Sequence, residues 1–488
     1  MNLATHFFSK ILSMEQPKSV LTQTGRFANE ILSFIIFTLL DIFDFLLCYV
    51  YKILDYLIEA EWKPCYCSSE KEAITSSGKI FVSEHGESKI LYLTPTKLRL
   101  EEISDTLYTR PSLVSEVSKS TVDELKRVKT EGNGMIQSRE KINRRGGTIR
   151  STFTINSTIV AMLQGRIQKL PIPRWSDCDC KTCTCWTSCK ESLFVKADGA
   201  KENVQEDVLF IHGFISSSAF WTETLYPNFS KTTKSKYRLL AVDLLGFGKS
   251  PKPNDSLYTL REHLDMIEKS VLEAYKVKSF HIVAHSMGCI LALALAVNHP
   301  ASVKSLTLLA PPYFPAPKGE PPSQYMMKRV APRRVWPLIT FGASLGCWYE
   351  HIGRTVSLVL CKNHRLWEFL TKLFTRNRMR TYLMEGFFCH THVAAWHTLH
   401  NIICGTAGLM ERYLHEVKNV VKCDVNIFHG KDDELIPVEC SYSVQSRIPR
   451  ARVKVVENKD HITIVVGRQK AFARELEQIW RNASTIKL

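Results

Sequence analysis

From residue 190 onward, short runs of consecutive apolar residues alternate with stretches whose apolar positions recur at helical spacing. Runs of this kind, bounded by glycine and polar turns and separated by helical patterns, predict an open, mainly parallel sheet flanked by helices. The expected strands are 208–211, 238–242, 280–283, 303–309, 425–428 and 453–456. The alternation stops between residues 311 and 422, where a bridge rich in proline leads into helical, aromatic sequence. That interruption predicts a helical cap inserted between two strands of the sheet.

Residues 27–58 are apolar almost throughout and long enough to cross a bilayer, which takes about 20 apolar residues. At 100° per residue, Glu30, Asp41, Asp44, Lys52, Asp55 and Glu59 fall within one arc of roughly 80°, so a helix here is greasy except for a narrow charged stripe. Four readings stay open: an in-plane monotopic helix, a spanning helix whose stripe faces a partner, an uncleaved signal-anchor, or a buried core helix. Cys48 lies inside this segment and, with Cys65 and Cys67 beyond it, is a candidate acylation site. The expected organisation is a polar lead (1–26), an apolar anchor (27–62), a linker and Cys/Trp-rich region (63–189), and a catalytic domain (190–488) with its cap at about 311–422. Within the third part, residues 110–147 read as solvated linker.

The chemistry is concentrated at strand ends, where open α/β sheets carry their sites. Ser286 sits in Ala284-His285-Ser286-Met287-Gly288, between a strand-like and a helix-like run, on the tight turn that exposes a nucleophilic serine. A neutral hydroxyl needs a base, and His461, in the loop after the last strand, is the candidate. Asp432 and Asp433 compete to orient that imidazole. The spacing from Gly430 and to Pro437 selects Asp433, leaving Asp432 as a turn residue. The backbone N–H groups of Met287 and Phe214 are the expected oxyanion donors. His212 and His285 are read as structural, His212 in support of the oxyanion loop, and 243–250 as a tight loop.

A formal charge of +16 suits an anionic partner, but zinc-finger spacing, aromatic RNA signatures and a basic recognition helix are missing, so nucleic acid is not expected. A lipid surface fits better. The cap carries thirteen Lys/Arg against five Glu over 326–418, with Trp336, Trp348, Trp367 and Trp396 among them. Basic residues such as Arg333 and Arg334 are expected to meet an anionic headgroup there. Fifteen cysteines, five of them crowded into 178–189, lack the second separated pair that zinc requires, so neither a metal nor a cofactor is expected.

The flanks of these motifs carry a closer resemblance. Phe210-Ile211-His212-Gly213-Phe214, 241–248, 284–289 and 429–440, together with the apolar N-terminus and the Cys/Trp segment, resemble the plant BODYGUARD group of α/β-hydrolases over most of the chain. The resemblance implies an α/β-hydrolase fold and a membrane-associated or extracellular lysophospholipase-like esterase connected with cutin and suberin formation in the epidermis. The expected activity is therefore a serine ester hydrolase working on a lipid or acyl ester through an acyl-enzyme. An acyltransferase using the same triad, or a non-catalytic lipid-binding scaffold, are the alternatives. Ala284 stands where the commonest elbow has glycine, a small-for-small change.

Overall fold

The computed structural model describes residues 16–59, 83–84, 87–88, 104–108, 192–253, 256–377 and 381–485. Cys65, Cys67, the 110–147 linker and the 178–189 cysteine cluster lie outside these residues. Seven strands form one sheet: β1 (Val195–Gly199), β2 (Glu206–Ile211), β3 (Tyr237–Val242), β4 (Phe280–His285), β5 (Val303–Leu309), β6 (Asp424–Gly430) and β7 (Arg452–Val456). Their order is β1-β3-β2-β4-β5-β6-β7. Only β1 runs antiparallel to its neighbour; the other pairs are parallel. Every residue of β4 is buried, as a central parallel strand covered on both faces must be.

Each face of the sheet has its own core. On one side, Trp221, Phe229, Phe472 and Trp480 surround Phe210, with the C-terminal helix Gln469–Thr485 supplying the last two. On the other lies Gly288–Asn298, a helix with apolar residues all round and its first nine residues buried. A helix without a polar face must be covered on every side. Its outer side is covered by Met410–Glu416 and the wider turn Val417–Val421, whose Met410, Leu414, Val417 and Val421 join the same core. The last part of the insertion between β5 and β6 therefore belongs to the body, while the helices from Pro322–Val330 to His392–Thr398 make the cap.

The N-terminal helix, Gln16–Glu59, runs along the cap against Glu350–Cys361. Asp41 and Asp44 of its charged stripe are turned inward. Asp41 accepts from Arg333 through both carboxylate oxygens at 2.9 Å and from the Tyr349 hydroxyl at 2.7 Å. Asp44 accepts from the backbone N–H groups of His351 and Ile352 and lies 3.3 Å from His351 Nδ1. Burial opposes a charge on His351, but hydrogen bonds with Asp44 and Cys48 and the nearby carboxylates outweigh it and push the imidazole up to about 10. Farther along, Tyr51 and Thr355 share a hydroxyl hydrogen bond at 2.8 Å, and Ser33 accepts from the Val335 N–H. This seam corrects two sequence expectations. Arg333 is committed to Asp41 and is not a free headgroup-binding cation, and Cys48, the candidate for acylation, is buried against the cap.

Candidate active site

Ser286 follows β4 with φ +52°, a left-handed conformation that a residue with a side chain adopts only where its surroundings enforce it. Its N–H is held by Leu309 O at 2.8 Å, and its carbonyl receives the Cys289 N–H at 2.9 Å as the helix starts. Gly288 makes the turn possible by close approach: a β-carbon there would sit 2.6 Å from His212 O and 2.8 Å from Ile211 O, both rigid backbone. Gly213 is nearly as tight, with a hypothetical β-carbon 3.1 Å from Ser286 Cβ, so the loop bearing Phe214 passes directly beside the serine. Met287 caps the helix from the other side. The two residues expected to offer backbone N–H groups thus flank Ser286.

His461 stands in the loop after β7, and its Nδ1 lies 2.7 Å from Asp433 Oδ2. The other carboxylate oxygen of Asp433 accepts from the Leu435 and Ile436 N–H groups at 3.0 and 2.8 Å. Burial favours the protonated acid, but His429, His461 and the Ile436 N–H together hold this carboxyl well below the usual range. With Asp433 ionised, Nδ1 of His461 is the donor in that hydrogen bond, which fixes the orientation of the ring. Asp432, by contrast, is exposed.

The supporting residues are arranged around these three. The Leu244 N–H donates to Nε2 of His212 at 2.9 Å, so Nδ1 bears the proton and donates to Gly213 O at 2.7 Å, bracing the loop beside Ser286. His285 donates from Nε2 to the backbone carbonyl of His461 at 2.8 Å, while its ring stacks on Phe220. Burial and the neighbouring His461 push His285 down to about 3, keeping it neutral. Neither the His285 bridge nor His429, which takes a hydrogen bond from Ser441 and donates to Ile436 O, has a signal in the sequence. The tight loop 243–250 is organised by buried Asp243, which accepts from the Ser218 and Lys249 N–H groups. The cap rests on these same loops through Gly386 at Ser216 and Ser217 and the bridge between Phe247 and His390. Among the described residues no group of three or more metal-binding side chains gathers.

The α/β-hydrolase fold family matches residues 208–336. Over nearly its whole length the chain is similar to the "Probable lysophospholipase BODYGUARD 3" of Arabidopsis thaliana, with 59% identity over 493 residues, covering 96% of this chain and 99% of the relative. It is 58% identical over 475 residues to "Probable lysophospholipase BODYGUARD 1" of the same plant, covering 95% and 98%. "Probable lysophospholipase BODYGUARD 4" follows at 36% over 469 residues, covering 93% and 98%. Identity of this extent, on a sheet with a serine elbow after β4, places the chain in the BODYGUARD group of the α/β-hydrolase family.

Proposed function

We propose that the protein is a serine carboxylic-ester hydrolase acting on lysophospholipid-like or other long-chain acyl esters, with Ser286, His461 and Asp433 as its triad. The observation that carries this reading is the coincidence of a left-handed Ser286 at a strand-to-helix turn after β4 with a 2.7 Å His461–Asp433 pair in the loops after β7 and β6 of the same sheet. In the reaction, Ser286 Oγ attacks the ester carbonyl while His461 Nε2 takes its proton. The Phe214 and Met287 N–H groups receive the developing oxyanion. Collapse expels the alcohol, protonated by His461, and leaves an acyl-serine. Water, deprotonated by the same imidazole, then releases the acid and restores the serine.

Several features support a lipid ester. The relatives are named as lysophospholipases, and the chain carries a 25-residue apolar stretch, Phe27–Tyr51, that fits attachment to a membrane. The family resemblance further supports a role in building cutin and suberin in plant epidermis, at the cell surface or wall. A fluorophosphonate probe tests the chemistry: it should label the native chain and leave Ser286→Ala unlabelled. Absence of label on both would assign the fold to lipid binding without catalysis. Faster release of fatty acid from a lysophospholipid than of acetate from a soluble ester tests the substrate class.

A further inference from the structure

Exposed large apolar side chains are distributed very unevenly. Of the 26 among the described residues, 13 lie on the N-terminal helix and 10 on the cap, leaving Val420, Tyr442 and Ile462 for all the rest. The cap residues form groups. Trp336, Leu338 and Ile339 follow the segment that bonds the helix at Asn29 and Ser33, and Val356 and Val359 continue the helix whose Thr355 meets Tyr51. Leu366, Phe369 and Leu373, at helical spacing, share one side of His364–Phe374. An apolar surface shared by two segments so far apart in sequence marks an interaction face.

The contacts along the helix decide its posture. Among the described side chains they run from Asn29 to Tyr51, 22 residues later, which spans about 33 Å of helix axis. The hydrocarbon layer of a bilayer is about 30 Å thick. A helix crossing it upright would therefore have to shed the cap along its whole length, leaving Asp41 and Asp44 in lipid without Arg333 and His351. Otherwise it would have to draw the cap in with it. A helix lying flat does neither: Asp41 and Asp44 stay against the cap while Leu39, Phe43 and Leu57, on the opposite side of the helix, face outward. Exposed Arg334, Arg365 and Arg376 stand beside the apolar groups on the cap, suited to lipid phosphates at the same depth.

We propose that the N-terminal helix lies in the plane of a phospholipid membrane while still docked on the cap, so that helix and cap together form one monotopic surface. The inference rests on membrane attachment, which is part of the proposed function, and fixes how that attachment is made. The cap, which rests on the loops at Ser216, Ser217 and Phe247, then touches the leaflet that holds the substrate.

Full-length protein on phosphatidylcholine vesicles containing a minor share of phosphatidylserine, with a photoactivatable diazirine in the acyl chains, supplies the test. Irradiation and peptide mapping should find lipid adducts both in the helix and in cap segments 336–339 and 366–374. The triple change Leu366→Ser, Phe369→Ser and Phe374→Ser, all on exposed positions, should lower the adducts in segment 366–374 at least several-fold and leave those in the helix unchanged. Adducts confined to the helix, on vesicle-bound protein, overturn the shared surface while membrane attachment stands. Protein that stays off the vesicles and takes no adducts overturns both, and self-association of that free protein would assign the face to a second copy of the chain.

Discussion

Replacing Asp433 with Asn tests the triad because the surroundings dictate which way the amide must point. Oδ1 accepts two backbone N–H groups, from Leu435 and Ile436, whereas Oδ2 accepts from His461 Nδ1 and lies 3.5 Å from His429 Nε2, whose proton is given to Ile436 O. An amide nitrogen in the Oδ1 position would face two donors, each leaving a buried N–H unsatisfied at about 1–3 kcal/mol. The oxygen therefore stays with the backbone and the NH₂ group turns to His461. Nδ1 must then accept, the imidazole proton moves to Nε2, and Nε2 can no longer take the proton of Ser286. The expected loss in kcat is about 10⁴-fold, equivalent to ~5.4 kcal/mol at 1.36 kcal/mol per decade. Turnover of a long-chain p-nitrophenyl ester measures it, with fluorophosphonate labelling rates as a parallel reading and thermal unfolding to confirm the fold. An Asp433→Asn protein within tenfold of the parent, or Asp432→Asn equally damaged, would refute the assignment.

Gly288→Ala should abolish labelling of Ser286, since its β-carbon meets two backbone carbonyls that cannot retreat; normal labelling would show that the elbow has slack. Asp41→Ala should cost about 2 kcal/mol of stability in detergent-solubilised protein, because Arg333 and the Tyr349 hydroxyl lose a shared acceptor; a change below about 0.5 kcal/mol would mean the seam is held by apolar contact alone. Burial pushes His263 and His390 down to about 4 and His285 and His400 down to about 3. All four stay neutral when folded but take up protons below about 6.5 when unfolded, so their contribution to stability should be full above that pH and fall as the pH drops toward 4. Each contributes up to about 1.4 kcal/mol per pH unit, and denaturant unfolding unchanged between pH 7 and pH 5 would contradict the burial of these rings.

Much of the sheet was legible because parallel strands are buried on both faces and read as continuous apolar runs, which is how 208–211, 280–283 and 303–309 stand out. β1 was not. Val195–Gly199 is a half-exposed edge strand reading Val-Lys-Ala-Asp-Gly, with no apolar pattern to betray it, and it exists because β3 offers it a ladder. The strand-to-helix turn at Ser286 and the pairing of His461 with Asp433 could be anticipated because tight turns constrain spacing locally. The partner of the acidic stripe was not readable. Nothing near Asp41 or Asp44 in sequence announces Arg333 or His351, and without them the helix reads as a detachable tether and Arg333 as a ligand for headgroups. Removing residues 27–58 would take one wall from the cap and leave Arg333, Tyr349 and His351 without the carboxylates they now hold.

The seam between helix and cap also sets an order of events during synthesis. Asp41 and Arg333 are 292 residues apart, and ribosomes add roughly 5–20 residues per second, so the apolar helix is complete for about 15–60 s before its partner on the cap has been made. During that interval the cap cannot cover it. The seam is therefore completed from the cap side, the cap closing onto a helix made long before it.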